Sequence, residues 1–238
     1  MHKIIILMLA SVTSLCAFAD TALDQLQNLQ TQPQFRSLSE DLGSALSYKP
    51  LSPGEPLGIT GFDIGVEVTG TSIRNKDILD LATGNNAPSL LPVPKLHVHK
   101  GLGVFDIGGF FSAVPSSNIK LYGAEIRYAL LEGSVATPAL ALRASFSQLS
   151  GVDQLDFDTK GIDISISKGF LGAKPYAGIG QVWVSSTPKG VSQLSAENFR
   201  QTKIFAGVNF NFGVANVAIE ADRTGDANSY GAKLGFRF

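Results

Sequence analysis

Apolar and polar side chains alternate with a period of two from Gly58 to Phe238, the last residue of the chain. This period places successive side chains on opposite faces of a β-strand. The chain of 238 residues is 44% hydrophobic with a formal net charge of −1, which excludes a disordered chain and gives no basic footprint for nucleic acid. The alternation therefore predicts an all-β fold, in ten segments: 58–70, 92–100, 103–113, 118–130, 136–149, 157–169, 173–186, 200–212, 213–223 and 228–238.

The connections between these segments also alternate, between tight and longer ones. The tight connections are 101–102, 131–135, 170–172 and the junction at 212–213, and the others are 71–91, 114–117, 150–156, 187–199 and 224–227. An even number of strands with short turns at one end and longer loops at the other is typical of an antiparallel transmembrane β-barrel. We predict a barrel of about ten strands, with eight to twelve allowed, over a soluble β-sandwich.

The polar faces of the segments are rich in glycine and small residues, and their charges have both signs. This composition suits a narrow lumen, where charges need partners, better than the water-facing surface of a sandwich. We expect a charged network lining the lumen, formed by Asp63, Glu67, Lys95, His97, His99, Asp106, Glu125, Arg127, Arg143, Asp163, Lys203, Glu220, Lys233 and Arg237.

Aromatic residues cluster near the predicted ends of the segments, as in the two girdles that mark membrane interfaces. The predicted extracellular girdle is Phe111, Tyr122, Phe146, Phe157, Trp183 and Tyr230. The predicted periplasmic girdle is Phe62, Tyr128, Phe170, Tyr176, Phe212, Phe236 and Phe238.

The chain closes on the alternating residues Tyr230, Ala232, Leu234, Phe236 and Phe238. This ending resembles the C-terminal signal of the Gram-negative outer-membrane β-barrel superfamily, and the resemblance covers Gly58 to Phe238. It implies a location in the outer membrane and insertion by the barrel-assembly machinery. No family of known activity is indicated within the superfamily.

The N-terminus resembles a secretory signal peptide over residues 1–19. A basic start precedes an apolar run from Ile4 to Leu15, and Ala17 and Ala19 form a small-x-small cleavage site. The single cysteine, Cys16, lies within this leader, so the exported chain has none.

Residues 20–57 form an amphipathic helical segment and a Pro-rich linker. We expect one broken helix or two short ones, interrupted at Pro33 and capped at residues 37–41. Because it carries more acids than bases, the segment suits a plug that meets Lys95, Lys203, Lys233 and Arg237 in the lumen. A periplasmic docking helix and a mobile tail are the alternatives.

The two histidines of the exported chain, His97 and His99, lie on one face of a strand near its periplasmic end. A metal would need a third ligand from another strand, and an omptin-type protease would need a histidine at the opposite rim. We therefore expect no catalytic residues, no metal and no cofactor, with an outer-membrane hydrolase as the least favoured reading.

The remaining function classes follow from the size of the barrel. Ten strands enclose a narrow lumen, which favours a narrow or plugged pore for small solutes over a general porin. The alternative is a non-conducting structural or adhesive surface barrel. Expected partners are outer-membrane lipid, the barrel-assembly machinery and a small solute, without nucleic acid.

Overall fold

A computed structural model describes residue 23 and residues 25–84, 87–114 and 117–238. Ten antiparallel strands form a closed barrel in which each strand pairs with the next and β1 pairs with β10, so the predicted number of strands is confirmed. The strands are β1 (Phe62–Ser72), β2 (Leu90–Leu102), β3 (Phe105–Ala113), β4 (Lys120–Leu131), β5 (Ala139–Ser150), β6 (Leu155–Ser167), β7 (Ala173–Pro188), β8 (Glu197–Phe212), β9 (Ala215–Thr224) and β10 (Ala227–Arg237).

Strand boundaries differ from the predicted ones mainly at the loop ends. A turn at residues 58–60 delays β1 to Phe62, and β2 begins earlier, at Leu90, which pairs with Ser72. Pro92 and Pro94 are tolerated in β2 because β3 begins to pair only at Leu96, which leaves that stretch with β1 as its single neighbour. The longest connection, 73–89, carries the short helix α2 (Lys76–Thr83).

The outside of the barrel is apolar and the inside is polar. Ile64, Val66, Ile162 and Ile204 point outward with 40%, 56%, 49% and 55% of their surface exposed. Such exposure of branched apolar side chains on every side of a closed barrel suits contact with lipid. No helix among the described residues is long and apolar enough to cross a membrane.

Two of the predicted girdle residues lie inside the barrel instead. Phe157 and Tyr176 are 2% and 4% exposed, because each shares the inward parity of its strand with a charged or polar lumen residue. Most of the other girdle residues are exposed on the outer wall. At the long-loop end these are Phe111, Tyr122, Trp183 and Tyr230, each between 39% and 63% exposed. At the short-turn end they are Tyr128, Phe170, Phe212, Phe236 and Phe238.

The N-terminal segment passes through the barrel. A 3-10 helix (Leu26–Asn28) leads into α1 (Gln32–Leu46), and residues 47–57 continue in extended form to the start of β1. The predicted break at Pro33 and caps at residues 37–41 are wrong. Pro33 sits in the first turn, where its missing N–H costs nothing, and Thr31 caps the helix with Gln34 in a reciprocal capping box.

Residues 25–57, hereafter the plug, begin at the long-loop end and leave at the short-turn end. At the top, the amide of Gln25 donates to the carbonyl of Ala82 in α2, and the amide of Leu26 donates to Gln154. At the bottom, the amide of Leu57 donates to Asp106. The plug thus spans the length of the lumen.

Candidate functional site: the plugged lumen

The upper part of the lumen holds an apolar collar around the plug. Plug residues Leu26, Leu29, Phe35 and Leu38 are almost completely buried. They belong to one apolar cluster with inward side chains from the loop ends of the strands: Leu121, Leu149, Leu155, Phe157, Val182 and Val184. This collar anchors the plug by apolar burial, the dominant favourable contribution in folding.

Polar contacts also join the plug to the wall, at the level of the collar and below it. Ser39 Oγ lies 2.8 Å from Ser186 Oγ on β7, and Ser44 Oγ donates to the Thr224 carbonyl at 2.7 Å. The Lys49 ammonium lies 3.0 Å from Asp222 Oδ1 in a pair whose side chains are only 1% and 3% exposed. This buried ion pair is the main charged link between the plug and the wall in this part of the lumen.

The plug's lower half meets the wall through its backbone. Lys203 Nζ donates to the Tyr48 carbonyl at 2.7 Å, and Ser147 Oγ donates to the Leu46 carbonyl at 2.7 Å. Arg127 Nη1 donates to the Pro53 carbonyl at 2.7 Å. Residues 47–57 are extended and make no helical hydrogen bonds of their own, and wall side chains satisfy the carbonyl groups of Tyr48 and Pro53.

All fourteen residues of the predicted lumen network lie inside the barrel with at most 9% of their surface exposed. They pair mainly with one another across neighbouring strands. Arg143 binds both oxygens of Asp163 through Nε at 3.1 Å and also reaches Glu125 at 3.4 Å. Arg127 Nε donates to Asp106 at 3.0 Å.

The two carboxylates of β1, Asp63 and Glu67, form ion pairs with basic side chains of the neighbouring strands β2 and β10. Lys233 Nζ lies 2.8 Å and His97 Nε2 3.1 Å from the two oxygens of Asp63. Glu67 lies 3.3 Å from Lys95 and 3.4 Å from His97 Nδ1. Glu67 is directly opposite Lys95 on β2, whereas Asp63 reaches Lys233 and His97 diagonally, because its own register partners are Arg237 and His99.

The expectation that the plug meets four wall bases is confirmed for Lys203, through a backbone carbonyl, and is wrong for pairing with plug acids: in the described residues these acids pair with none of Lys95, Lys203, Lys233 and Arg237. Lys95, Lys233 and Arg237 have wall carboxylates within 4 Å, and Lys203 binds a plug carbonyl. The wall acids pair with the wall bases because side chains on neighbouring strands lie closer to one another than to the plug. Only Glu55, near the short-turn end, pairs with a wall base, Lys174, among the described residues.

Several residues of the site were missed by sequence reasoning. Asp222 follows Glu220 at the inward spacing of two and could have been found from that alternation. Lys49 and Tyr48 lie in the linker, where no period marks them. Tyr48 Oη lies 3.1 Å from His99 Nε2, and Tyr176 Oη donates to Glu220 at 2.9 Å.

The third metal ligand that the histidines would need exists in the structure. Potential ligand atoms of Asp63, His97 and His99 all lie within 4.8 Å of one another. However, Lys233 and Arg237 also face the Asp63 carboxylate, and Tyr48 faces His99. Two cations beside the carboxylate compete with a metal, so the arrangement is accounted for by hydrogen bonds and ion pairs within the lumen.

The barrel is closed and antiparallel, with an apolar exterior and a charged interior, and the start of β1 and the end of β10 both lie at the short-turn end. These features define a transmembrane β-barrel of the outer-membrane type. The closing residues Tyr230, Ala232, Leu234, Phe236 and Phe238 all face outward on β10 and its end. The predicted leader, with Ala17 and Ala19, lies outside the described residues.

No protein-family model matches the chain, and no curated protein matches it significantly. Among solved structures, a loop-deletion mutant of OmpT, an outer membrane protein of Vibrio cholerae, is 14% identical with a TM-score of 0.33 over 62% of this chain. The chain spans about half, 54%, of that protein's length.

Two smaller barrels are covered almost completely. The KdgM porin in complex with disordered oligogalacturonate is 9% identical, with a TM-score of 0.38, 74% of this chain and 99% of that chain covered. Neisserial surface protein A is 12% identical, with a TM-score of 0.34 and coverage of 74% and 95%. Similarities of this size carry no functional assignment.

Proposed function

We propose that the protein is a plugged conduit for small polar solutes, closed when residues 25–57 occupy the lumen and open when they are displaced. The observation that carries this proposal is that a separate segment, and not the wall's own side chains, fills the lumen. A barrel built only for structure can fill a narrow lumen with its own side chains. Here the space is filled by a separate segment, held by the apolar collar and by hydrogen bonds and ion pairs along its length.

The wall facing the plug is incompletely satisfied in the closed state. Two buried polar atoms of the wall, Thr69 Oγ1 on β1 and Gln201 Oε1 on β8, have neither a hydrogen bond nor an ion pair in the described part of the chain. Each buried unsatisfied polar group costs on the order of 1–3 kcal/mol. A lumen that opens to water satisfies these atoms, which favours a plug that can leave.

The plug also carries backbone strain at one residue. Leu51 has φ +43°, in the left-handed region that a leucine rarely adopts, and its side chain is 1% exposed, facing the wall near Gly231. Such a conformation costs on the order of 1–3 kcal/mol. Because this strain is released when the segment leaves the lumen, it lowers the cost of opening.

The wall that an entering solute would meet carries both signs of charge. Arg143, Lys95 and Arg127 alternate around the lumen with their carboxylate partners. A narrow passage lined in this way suits small polar or zwitterionic solutes over lipids or large anions. Within this proposal His97 and His99 position wall carboxylates, and the protein is not an enzyme.

The experiment that tests the proposal locks the plug in the full mature chain. That chain has no native cysteine once the leader is removed. The hydroxyl oxygens of Ser39 and Ser186 are 2.8 Å apart, so the S39C/S186C variant should close a disulfide between plug and wall. The matched control is T71C/S229C, whose hydroxyls are 2.9 Å apart on β1 and β10, so that its disulfide joins wall to wall.

Single-channel conductance in planar bilayers is the readout, after folding is checked by heat-dependent gel mobility. We expect openings in the unmodified chain and in T71C/S229C, and their loss in oxidised S39C/S186C with recovery on reduction. Silence of every form, including a chain lacking residues 20–57, contradicts the conduit and leaves a structural or adhesive surface barrel. Openings that survive the oxidised plug lock contradict the plug as the gate.

A further inference from the structure

The outer wall carries a basic and aromatic patch on three neighbouring strands. Lys160 on β6 is the cross-strand neighbour of Trp183 on β7, which in turn neighbours Arg200 on β8. All three side chains are exposed on the outside of the barrel, and their sequence neighbours point into the lumen. Cross-strand neighbours lie roughly 5 Å apart, so the three side chains form one surface, the Lys160–Trp183–Arg200 patch.

The patch lies at the upper edge of the apolar band. Below it, towards the short-turn end, the outward side chains of the same strands include Ile162 and Ile164 on β6, Ile179 on β7 and Ile204 on β8, all at least 40% exposed. Above it the strands lead into loops 151–154 and 189–196. The patch therefore sits where lipid headgroups of the outer leaflet meet the protein.

The two cations of the patch have no partner within the protein. Neither the Lys160 ammonium nor the Arg200 guanidinium forms an ion pair or a hydrogen bond with any residue that the structure describes. This distinguishes them from the nearby Lys189, which pairs with Asp156. Two unpaired cations beside an apolar surface favour an anion supplied from outside.

A concavity accompanies the cations. Its volume is about 430 Å³, and its lining includes Lys160, Trp183, Arg200, Asn198 and one acid, Asp158. The balance of charge in the lining remains positive, and Asn198 adds an amide donor. A tetrahedral phosphate fits such a set, because arginine binds it through a planar fork and lysine as a point charge.

We propose that the Lys160–Trp183–Arg200 patch binds the phosphate headgroup of a lipid in the outer leaflet. Arg200 and Lys160 bind the phosphate oxygens, and the Trp183 ring lies at the boundary between headgroup and acyl chain, the position that tryptophan favours in membranes. The acyl chains then lie along the isoleucines of β6 to β8. The proposal depends on the barrel and is independent of the plug.

The chain reports directly on this patch, because Trp183 is its single tryptophan. Refolded mature protein in a neutral detergent is titrated with lipid A that carries two phosphates, and the emission of Trp183 is followed. Lipid A without phosphate groups is titrated in parallel, and inorganic phosphate is added as a competitor. We expect a saturable shift with the phosphorylated lipid, and about tenfold or greater weakening for each cation removed.

The binding variant is K160Q/R200Q, and the matched control is K120Q/R223Q, which removes two exposed cations at the same end of the barrel but outside the patch. The R200K variant keeps the charge and loses the fork, so it should bind several-fold more weakly than the native chain. Heat-dependent gel mobility verifies the fold of each variant.

Loss of the shift in K160Q/R200Q, with retention in K120Q/R223Q, supports the site. Equal weakening in both variants, or none in either, overturns it, because the cations then only extend toward water as isolated basic residues do at interfaces. A shift that dephosphorylated lipid reproduces also overturns the headgroup as ligand. Displacement by inorganic phosphate at concentrations comparable to the lipid overturns the lipid as the source of the anion.

Discussion

Replacing Lys49 by methionine should shift the plug toward its displaced state, because it leaves a carboxylate buried without its main partner. The Lys49 ammonium lies 3.0 Å from Asp222 Oδ1 and 2.9 Å from the Ser44 carbonyl, in a part of the lumen that is almost closed to solvent. Breaking a buried ion pair by removing one partner costs roughly 3–5 kcal/mol. The Thr224 hydroxyl still donates to Asp222 at 2.9 Å, which places the expected cost near the lower limit.

A cost of about 3 kcal/mol corresponds to roughly a hundredfold change in an equilibrium constant. The displaced state is favoured by this factor because Asp222 then faces water. Ser39 is fully buried by the plug and wall, so a cysteine in its place should react with a maleimide only when the plug has moved. We therefore expect the labelling rate of S39C/K49M to exceed that of S39C by up to about a hundredfold.

The matched control is Lys174→Met, the same substitution in a pair between plug and wall that is partly exposed. The Lys174 and Glu55 side chains are 26% and 39% exposed, so losing their contact should cost no more than about 1 kcal/mol. Equal labelling of S39C/K49M and S39C/K174M, in barrels of normal gel mobility, would refute the reasoning. D222N added to K49M should restore slow labelling, because it removes the orphaned charge.

Three further outcomes are expected. Arg143→Met should lower the free energy of barrel unfolding in a urea titration by roughly 3–5 kcal/mol, because it orphans two buried carboxylates. Gly231→Ala should raise labelling of S39C several-fold, since its Cβ would lie 3.0 Å from the Leu51 side chain and push on the plug. In the β9–β10 turn, hydrogen bonds from Arg223 and Arg74 hold the pKa of Asp226 below its ordinary value. The stabilisation from this carboxylate is thus present above about pH 4 and lost as the pH falls through the lowered pKa. Arg74→Gln should raise that pKa in an NMR titration.

The strands and the lumen network could be predicted because both depend on parity alone. Once Asp63 and Glu67 are assigned to the inward face, every second residue follows, and closing the barrel brings the ten inward faces together. The partners could not be predicted, because they depend on register. Glu67 on β1 contacts Lys95 because the two are register partners between β1 and β2. If β2 slipped by two residues against β1, His97 would lie opposite Glu67 instead.

The sequence of the N-terminal segment favours a plug only slightly, because its apolar stripe also suits a periplasmic partner and its length a mobile tail. The information that decides its position lies in the strands instead. On β4 to β6, Leu121, Leu149, Leu155 and Phe157 have the same inward parity as Glu125, Arg143 and Asp163, and all lie at the long-loop ends. Apolar side chains turned into a polar lumen have no water-exposed role there, so they require an apolar partner inside the barrel. The helix with Phe35 and Leu38 on its buried face is that partner, and a switch of inward residues from charged to apolar along the strands predicts such a helix from sequence.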